Sequence, residues 1–201
     1  MTNPRLKRCP WCEQAEDYRL YHDKQWGRPV ADPIELFEKL CLDGQQAGLS
    51  WLTILRKQGG YERAFLNFDP DAICDMSKED REKLYDNREI IRSRAKIDAI
   101  FTNAAAYIKM RQQGIDFAPW LWQFVGGSPI INEYQTLAEV PTESEASRAM
   151  AKALKQHGFK FVGPTICYAF MQAVGMMNDH LVDCHCYHPV NEQMRHFSIT
   201  S

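Results

Sequence analysis

The sequence predicts an all-α protein. Apolar residues recur at helical spacing through most of its 201 residues. Helix-start signals precede several of these stretches. No segment shows the strict apolar–polar alternation that a half-buried strand requires. The 10 prolines and 11 glycines are scattered and form no linker or low-complexity tract. One domain over residues 1–201 is therefore expected, with two helical lobes around one cleft.

The elements follow in chain order. Asp32-Pro33 reads as a cap and first-turn proline for a helix over IELFEKLCLDGQQAG, with Ile34, Leu36, Phe37, Leu40 and Cys41 on its apolar face. Before it, YRLYHDKQWGRP reads as loop-like because its aromatics lie among polar residues. A second helix is expected from Leu49 to Lys57 and a short one from Tyr61 to Phe65. Ser77, with Asp80 three residues on, begins another by a near capping box. A long alanine-rich helix is expected from Ile90 to Met110 and a short aromatic one from Pro119 to Val125. A polar-faced helix from Ser144 to Gln156 stops at Gly158, and an apolar one runs from Thr165 to Val174.

Composition narrows the function classes. At 45% hydrophobic the chain can bury a sizeable core, and 25% charged residues is ordinary for a globular protein. A net charge of -2 supplies no global attraction for nucleic acid, so such contact would need a local basic patch. No apolar run approaches the roughly 20 residues that span a bilayer, so no membrane partner is expected. MTNPRLKRCPWCEQ lacks the apolar segment of a secretory signal. A reducing cytoplasm is the expected compartment, where seven cysteines do not form a disulfide framework.

Three constellations carry chemistry. Cys9, Cys12 and His22 lie near the start, and His180, Cys184, His185, Cys186 and His188 near the end. Zinc takes about four such ligands. Two from each end would staple the termini, His180 and Cys184 sharing a helical face or clasping the ion across a turn. The bland reading is unrelated buried thiols and surface histidines. A Cys9–Cys12 redox pair is the other alternative, without the βαβ pattern that usually surrounds one. Second, Trp11, Tyr18, Tyr21, Trp26 and Trp51 either belong to the core or present several π faces to a flat cation. Third, KQHGFKFVGPTICYAFMQAVG places two glycine-bearing turns before a helix N-terminus, where backbone N–H groups can meet a phosphate. It reads as a helix-hairpin-helix grip on a DNA backbone or as an ordinary helix connection. Arg148, Lys152, Lys155 and Lys160 add positive charge there. Arg88, Arg92, Arg94 and Lys96 form a second basic set, which also fits a solvated face.

These residues resemble a known family, the DNA-3-methyladenine glycosylase I family of the helix-hairpin-helix superfamily. The similar segments run in order from Cys9 to Tyr187: CPWC, YHDKQWGRP, LFEKLCLDGQQAGLSWLTILRK, FDPDAI, IIRSRAKIDAIFTNA, PWLWQFV and LKQHGFKFVGPTICYAFMQAVGMMNDHLVDCHCY. The resemblance implies one structural zinc on Cys9, His22, His180 and Cys184. It implies a base pocket of Trp11, Tyr18, Tyr21, Trp26 and Trp51 with an acidic residue. That acid is Glu in the family's LEGQQAGLSW and Asp43 here, one methylene shorter. The implied partners are double-stranded DNA with alkylated bases and free 3-methyladenine as product, and the implied state is a monomer.

The implied reaction is hydrolysis of the N-glycosidic bond of a flipped 3-methyladenine, leaving an abasic site without strand cleavage. Asp43 is expected to act on the base. Asp183 is expected either to stabilise the sugar cation or to orient a zinc ligand. Gly48 and Leu49 are expected to fill the gap left by the flipped nucleotide, and Lys160, Gly163 and Thr165 to contact the backbone. The rival reading is a zinc-stapled module that binds DNA or a methylated base without chemistry.

Overall fold

The computed structural model describes residues 6–199. Eleven α-helices are seen among them: α1 Glu16–Lys24, α2 Pro33–Gln45, α3 Trp51–Leu55, α4 Gln58–Ala64, α5 Pro70–Asp75, α6 Lys78–Leu84, α7 Arg94–Gln112, α8 Phe117–Trp122, α9 Glu145–Gln156, α10 Pro164–Ala173 and α11 Tyr187–Arg195. The only pairing of strands among the described residues is two residues long and parallel, β1 Ile130–Ile131 with β2 Met177–Asn178. The helical class read from the sequence holds.

α2 is the axis of the fold. The Asp32 carboxylate accepts from the N–H groups of Ile34 and Glu35 at 3.0 and 2.8 Å, and Pro33 pre-sets the first turn. Its buried Leu36, Phe37, Leu40 and Cys41 enter one large core. Burying each such side chain contributes about 1.5–3 kcal/mol. The helix packs against α7, α8 and α10. Gly44 lets the turn after α9 approach, since a Cβ there would lie 3.1 Å from both Cβ and the carbonyl oxygen of Phe161. Beyond α10, Gly175 holds a φ of +69° where the 28–29 backbone crosses, and a Cβ would fall 2.3 Å from the Arg28 carbonyl carbon.

Several boundaries differ from the expectations, each for a local reason. The segment read as loop forms α1, with Glu16 and Asp17 in its first turn and His22 and Lys24 in its last. Tyr18, Tyr21 and His22 form its buried stripe at helical spacing, which polar neighbours concealed. The helix expected from Leu49 starts at Trp51 because Ser50 caps it, accepting from Thr53 N–H at 3.3 Å. The helix expected from Ile90 starts at Arg94. Ile90 instead drops into the core, and Ile91 N–H donates to the Tyr61 hydroxyl at 3.1 Å. Lys96 is no surface cation. It is buried, and its Nζ donates to the carbonyls of Gln45 and Ala47 at 2.7 Å each, closing the C-terminal end of α2. His180 and Cys184 do not share a helix, because residues 179–186 form turns that bring the donors together across a bend. Ser144 caps α9 in a reciprocal box with Ser147.

Candidate base pocket and metal cluster

The two chain ends meet at a buried cluster. Cys9, His22, His180 and Cys184 each turn one donor atom inward, all four within 4.8 Å of one another. His22 Nε2 lies 3.2 Å from His180 Nδ1 and 3.5 Å from Cys184 Sγ. His180 Nδ1 lies 3.7 Å from each sulfur. The outer nitrogens have partners of their own. His22 Nδ1 is 2.9 Å from Asp23, and His180 Nε2 is 3.4 Å from the Trp26 carbonyl. Those contacts fix which nitrogen of each ring faces inward. Two thiols and two imidazoles in this arrangement can hold a metal ion. Cys12 is outside the cluster, its Sγ donating to the Cys9 carbonyl at 3.2 Å. His185 and Cys186 flank Asp23, and His188 is exposed.

Asp23 is the hub of the layer behind the cluster. Buried Arg8 grips it with Nε at 2.9 Å and Nη2 at 2.8 Å, and His185 Nε2 lies 2.9 Å away. Burial opposes its ionisation, but the bonds from Arg8, His22 and His185 outweigh burial and hold the carboxyl well below the usual range.

Directly against this cluster lies a cavity of about 190 Å³. Trp11 comes from the turn at Pro10–Cys12, Tyr18 and Tyr21 from α1, Trp26 from the chain after it, Asp43 from α2 and Trp51 from the start of α3. The rings contact one another in series. Centroids are 4.9 Å apart for Trp11–Tyr18, 5.0 Å for Trp11–Trp26 and 5.6 Å for Tyr21–Trp51. Trp11 also meets His22 edge-on at 5.3 Å and Trp26 meets His180 at 4.7 Å, so the cluster supports the cavity wall.

Its electrostatics are unusual. Among the described residues, two buried side-chain polar atoms have no hydrogen-bond partner, Asp43 Oδ2 and Trp51 Nε1. Both residues line this cavity. A buried unpaired polar group costs about 1–3 kcal/mol, so these two atoms are available to pair with a group that enters the cavity. Burial pushes the Asp43 carboxyl up to about 8, opposed only by the charge of Lys39. Tyr21 is also pushed up, by burial and then by the charge of Asp43. A flat cation fits this site. It would stack on the rings, ionise Asp43 and supply donors to it.

Gln46, Leu137, Val140, Ala169, Gln172 and Ala173 also line the cavity and were not read from the sequence. Positions 169, 172 and 173 share one face of α10, so a glutamine within the apolar TICYAFMQA was the available signal. Asp183 does not line the cavity. It pairs with Lys7 at the surface, with its side chain 44% exposed. Gly48 and Leu49 are exposed beyond α2, while Lys160 is exposed on the α9–α10 turn and Thr165 in the first turn of α10, with Gly163 half-buried between them.

The described residues thus form a helical fold that encloses a buried acid among aromatic faces, beside a Cys/His cluster. Comparison with known proteins makes that arrangement particular. The methyladenine glycosylase family model matches residues 11–188, and the chain belongs to that family. It is 50% identical over 182 residues to DNA-3-methyladenine glycosylase 1 of Escherichia coli (strain K12), covering 90% of this chain and 97% of that one. A crystal structure of 3-methyladenine DNA glycosylase I superposes with a TM-score of 0.88 at 51% identity, over 90% of this chain and 100% of that one. The Staphylococcus aureus 3-methyladenine DNA glycosylase I, solved for its recognition of 3-methyladenine, superposes with a TM-score of 0.86 at 37% identity, over 90% and 97%. The resemblance read from the sequence is borne out.

Proposed function

We propose that the protein is a DNA repair glycosylase that hydrolyses the N-glycosidic bond of 3-methyladenine in alkylated double-stranded DNA. The observation that carries this is the unpaired Asp43 carboxylate facing an aromatic cavity sized for a single ring. Family membership and relatives of that name support it.

Methylation at N3 makes the adenine a cation and a good leaving group, so the base needs no protonation. The nucleotide must leave the stack, which costs a few kcal/mol. Trp11, Tyr18, Tyr21, Trp26 and Trp51 then hold the cationic ring, and Asp43 accepts one N–H of its 6-amino group. As C1′–N9 breaks, the bonding pair goes to the base, which leaves neutral. Positive charge passes to the sugar, water adds at C1′ and its proton is lost to solvent. Lysine is absent from the cavity lining among the described residues, which favours a monofunctional enzyme that leaves an abasic site.

The remaining assignments are part of the same reading. α9, its turn and α10 act as a helix-hairpin-helix, with Lys160, Gly163 and Thr165 on the DNA backbone, and Gly48 and Leu49 occupy the vacated stack. Asp183 takes no part in catalysis. Cys9, His22, His180 and Cys184 would hold one structural zinc. A tetrahedral zinc needs ligand separations of about 3.3 Å for two nitrogens and about 3.6 Å for nitrogen and sulfur, close to the 3.2 and 3.5–3.7 Å found. Zinc would supply cross-linking of the chain ends and no step of the reaction. The protein acts as a monomer in the cytoplasm. The test is incubation with N-methylated duplex DNA. Release of free 3-methyladenine supports the enzyme, and retention without release supports a binding module.

A further inference from the structure

The base cavity has a second polar wall opposite in kind to the aromatics. Gln172 lines it from α10, and behind Gln172 sits Asp179, 2% exposed. Asp179 accepts three hydrogen bonds: from Tyr168 O–H at 2.6 Å, Asn132 Nδ2 at 2.7 Å and Gln172 Nε2 at 2.8 Å. Its neighbours in sequence anchor it from both sides. Asn178 donates through Nδ2 to the Tyr187 carbonyl and to Asn191 Oδ1 at 3.2 and 2.5 Å, while His180 belongs to the metal cluster.

A glutamine amide normally can present either end to a ligand. Here it cannot. A carboxylate already accepting from a hydroxyl and a second amide has no hydrogen to give, so the nitrogen of Gln172 must face Asp179. The carbonyl oxygen is left for the cavity. We infer that Gln172, oriented by Asp179, is a base-reading residue that presents a fixed acceptor and so selects 6-amino over 6-oxo purines. Adenine carries a donor amino group at that position and guanine an acceptor oxygen. A fixed acceptor bonds the first and repels the second. Gln172 touches the base, and Asp179 is a positioning residue that acts through it. This rests on the reading of the cavity as a site for alkylated adenine.

The experiment is release of 3-methyladenine and of 3-methylguanine from the same methylated duplex by wild type, Gln172→Met and Asp179→Asn. Methionine keeps the bulk of the wall and removes the acceptor. Asparagine offers a donor at Asp179, so the Gln172 amide is free to turn over. Each variant is expected to narrow the ratio of kcat/KM for 3-methyladenine over 3-methylguanine about tenfold or more. A merely structural contribution would lower both rates together and leave the ratio alone. A wild-type ratio in Gln172→Met overturns the inference, and that variant decides it if Asp179→Asn fails to fold. Absence of any 3-methyladenine release by wild type would instead defeat the reading of the site, and the inference with it.

Discussion

Asp43 is the residue on which the proposed chemistry turns. Its folded-state carboxyl is pushed up to about 8 from an ordinary 3.8 by burial. A raised acid binds its proton more tightly when folded, so its contribution to stability is complete below pH about 4 and is lost as pH rises through 8. Asp43→Asn should therefore flatten the decline of Tm between pH 5 and 8, measured by calorimetry. It should also lower kcat/KM for 3-methyladenine release tenfold or more, because an amide cannot balance the cation. Asp23 sets a second prediction. It holds His22 by Nδ1, so Asp23→Asn should weaken metal retention about 10–100-fold in a chelator competition. Unchanged retention would mean that His22 needs no orienting partner. Of these two acids, Asp43 was legible in the sequence through its GQQAGLSW context. Asp23 was not, because its part depends on Arg8 and on His185, 162 residues away.

At the scale of elements, what the sequence revealed was whatever is local. Asp32-Pro33 and Ser144 announce α2 and α9 by capping chemistry that acts within three residues. α1 was missed because Ala15 offers no side-chain cap and its apolar stripe is made of tyrosine and histidine. Lys96 looked like one more surface cation, since nothing in its own helix shows that its ammonium reaches the end of α2. That contact positions the loop carrying Gly48 and Leu49. Lys96→Met should leave the fold standing and loosen that loop. The expected result is faster amide hydrogen exchange over residues 46–50 and a several-fold loss of activity on duplex DNA. Equal exchange in both proteins would show that the loop holds itself. Gly175 is the tightest crossing, and Gly175→Ala should destabilise by about 2 kcal/mol or more, read from denaturant unfolding.

At the scale of the molecule, the Cys/His cluster and the aromatic cavity form one structure. Residues from the two ends of the chain supply the donors, and Trp11 and Trp26 lie between those donors and the cavity. Stripping the zinc proposed at the cluster should lower Tm by roughly 10 °C or more and weaken base binding with it, since the wall would lose its support. Loss of stability with base affinity intact would separate the two sites. The central claim is that the cavity performs base excision, and base release from methylated DNA tests it most directly. Purified protein incubated with N-methylated duplex should yield free 3-methyladenine and abasic sites in uncut strands. Tight binding of that duplex with no base released would contradict the account.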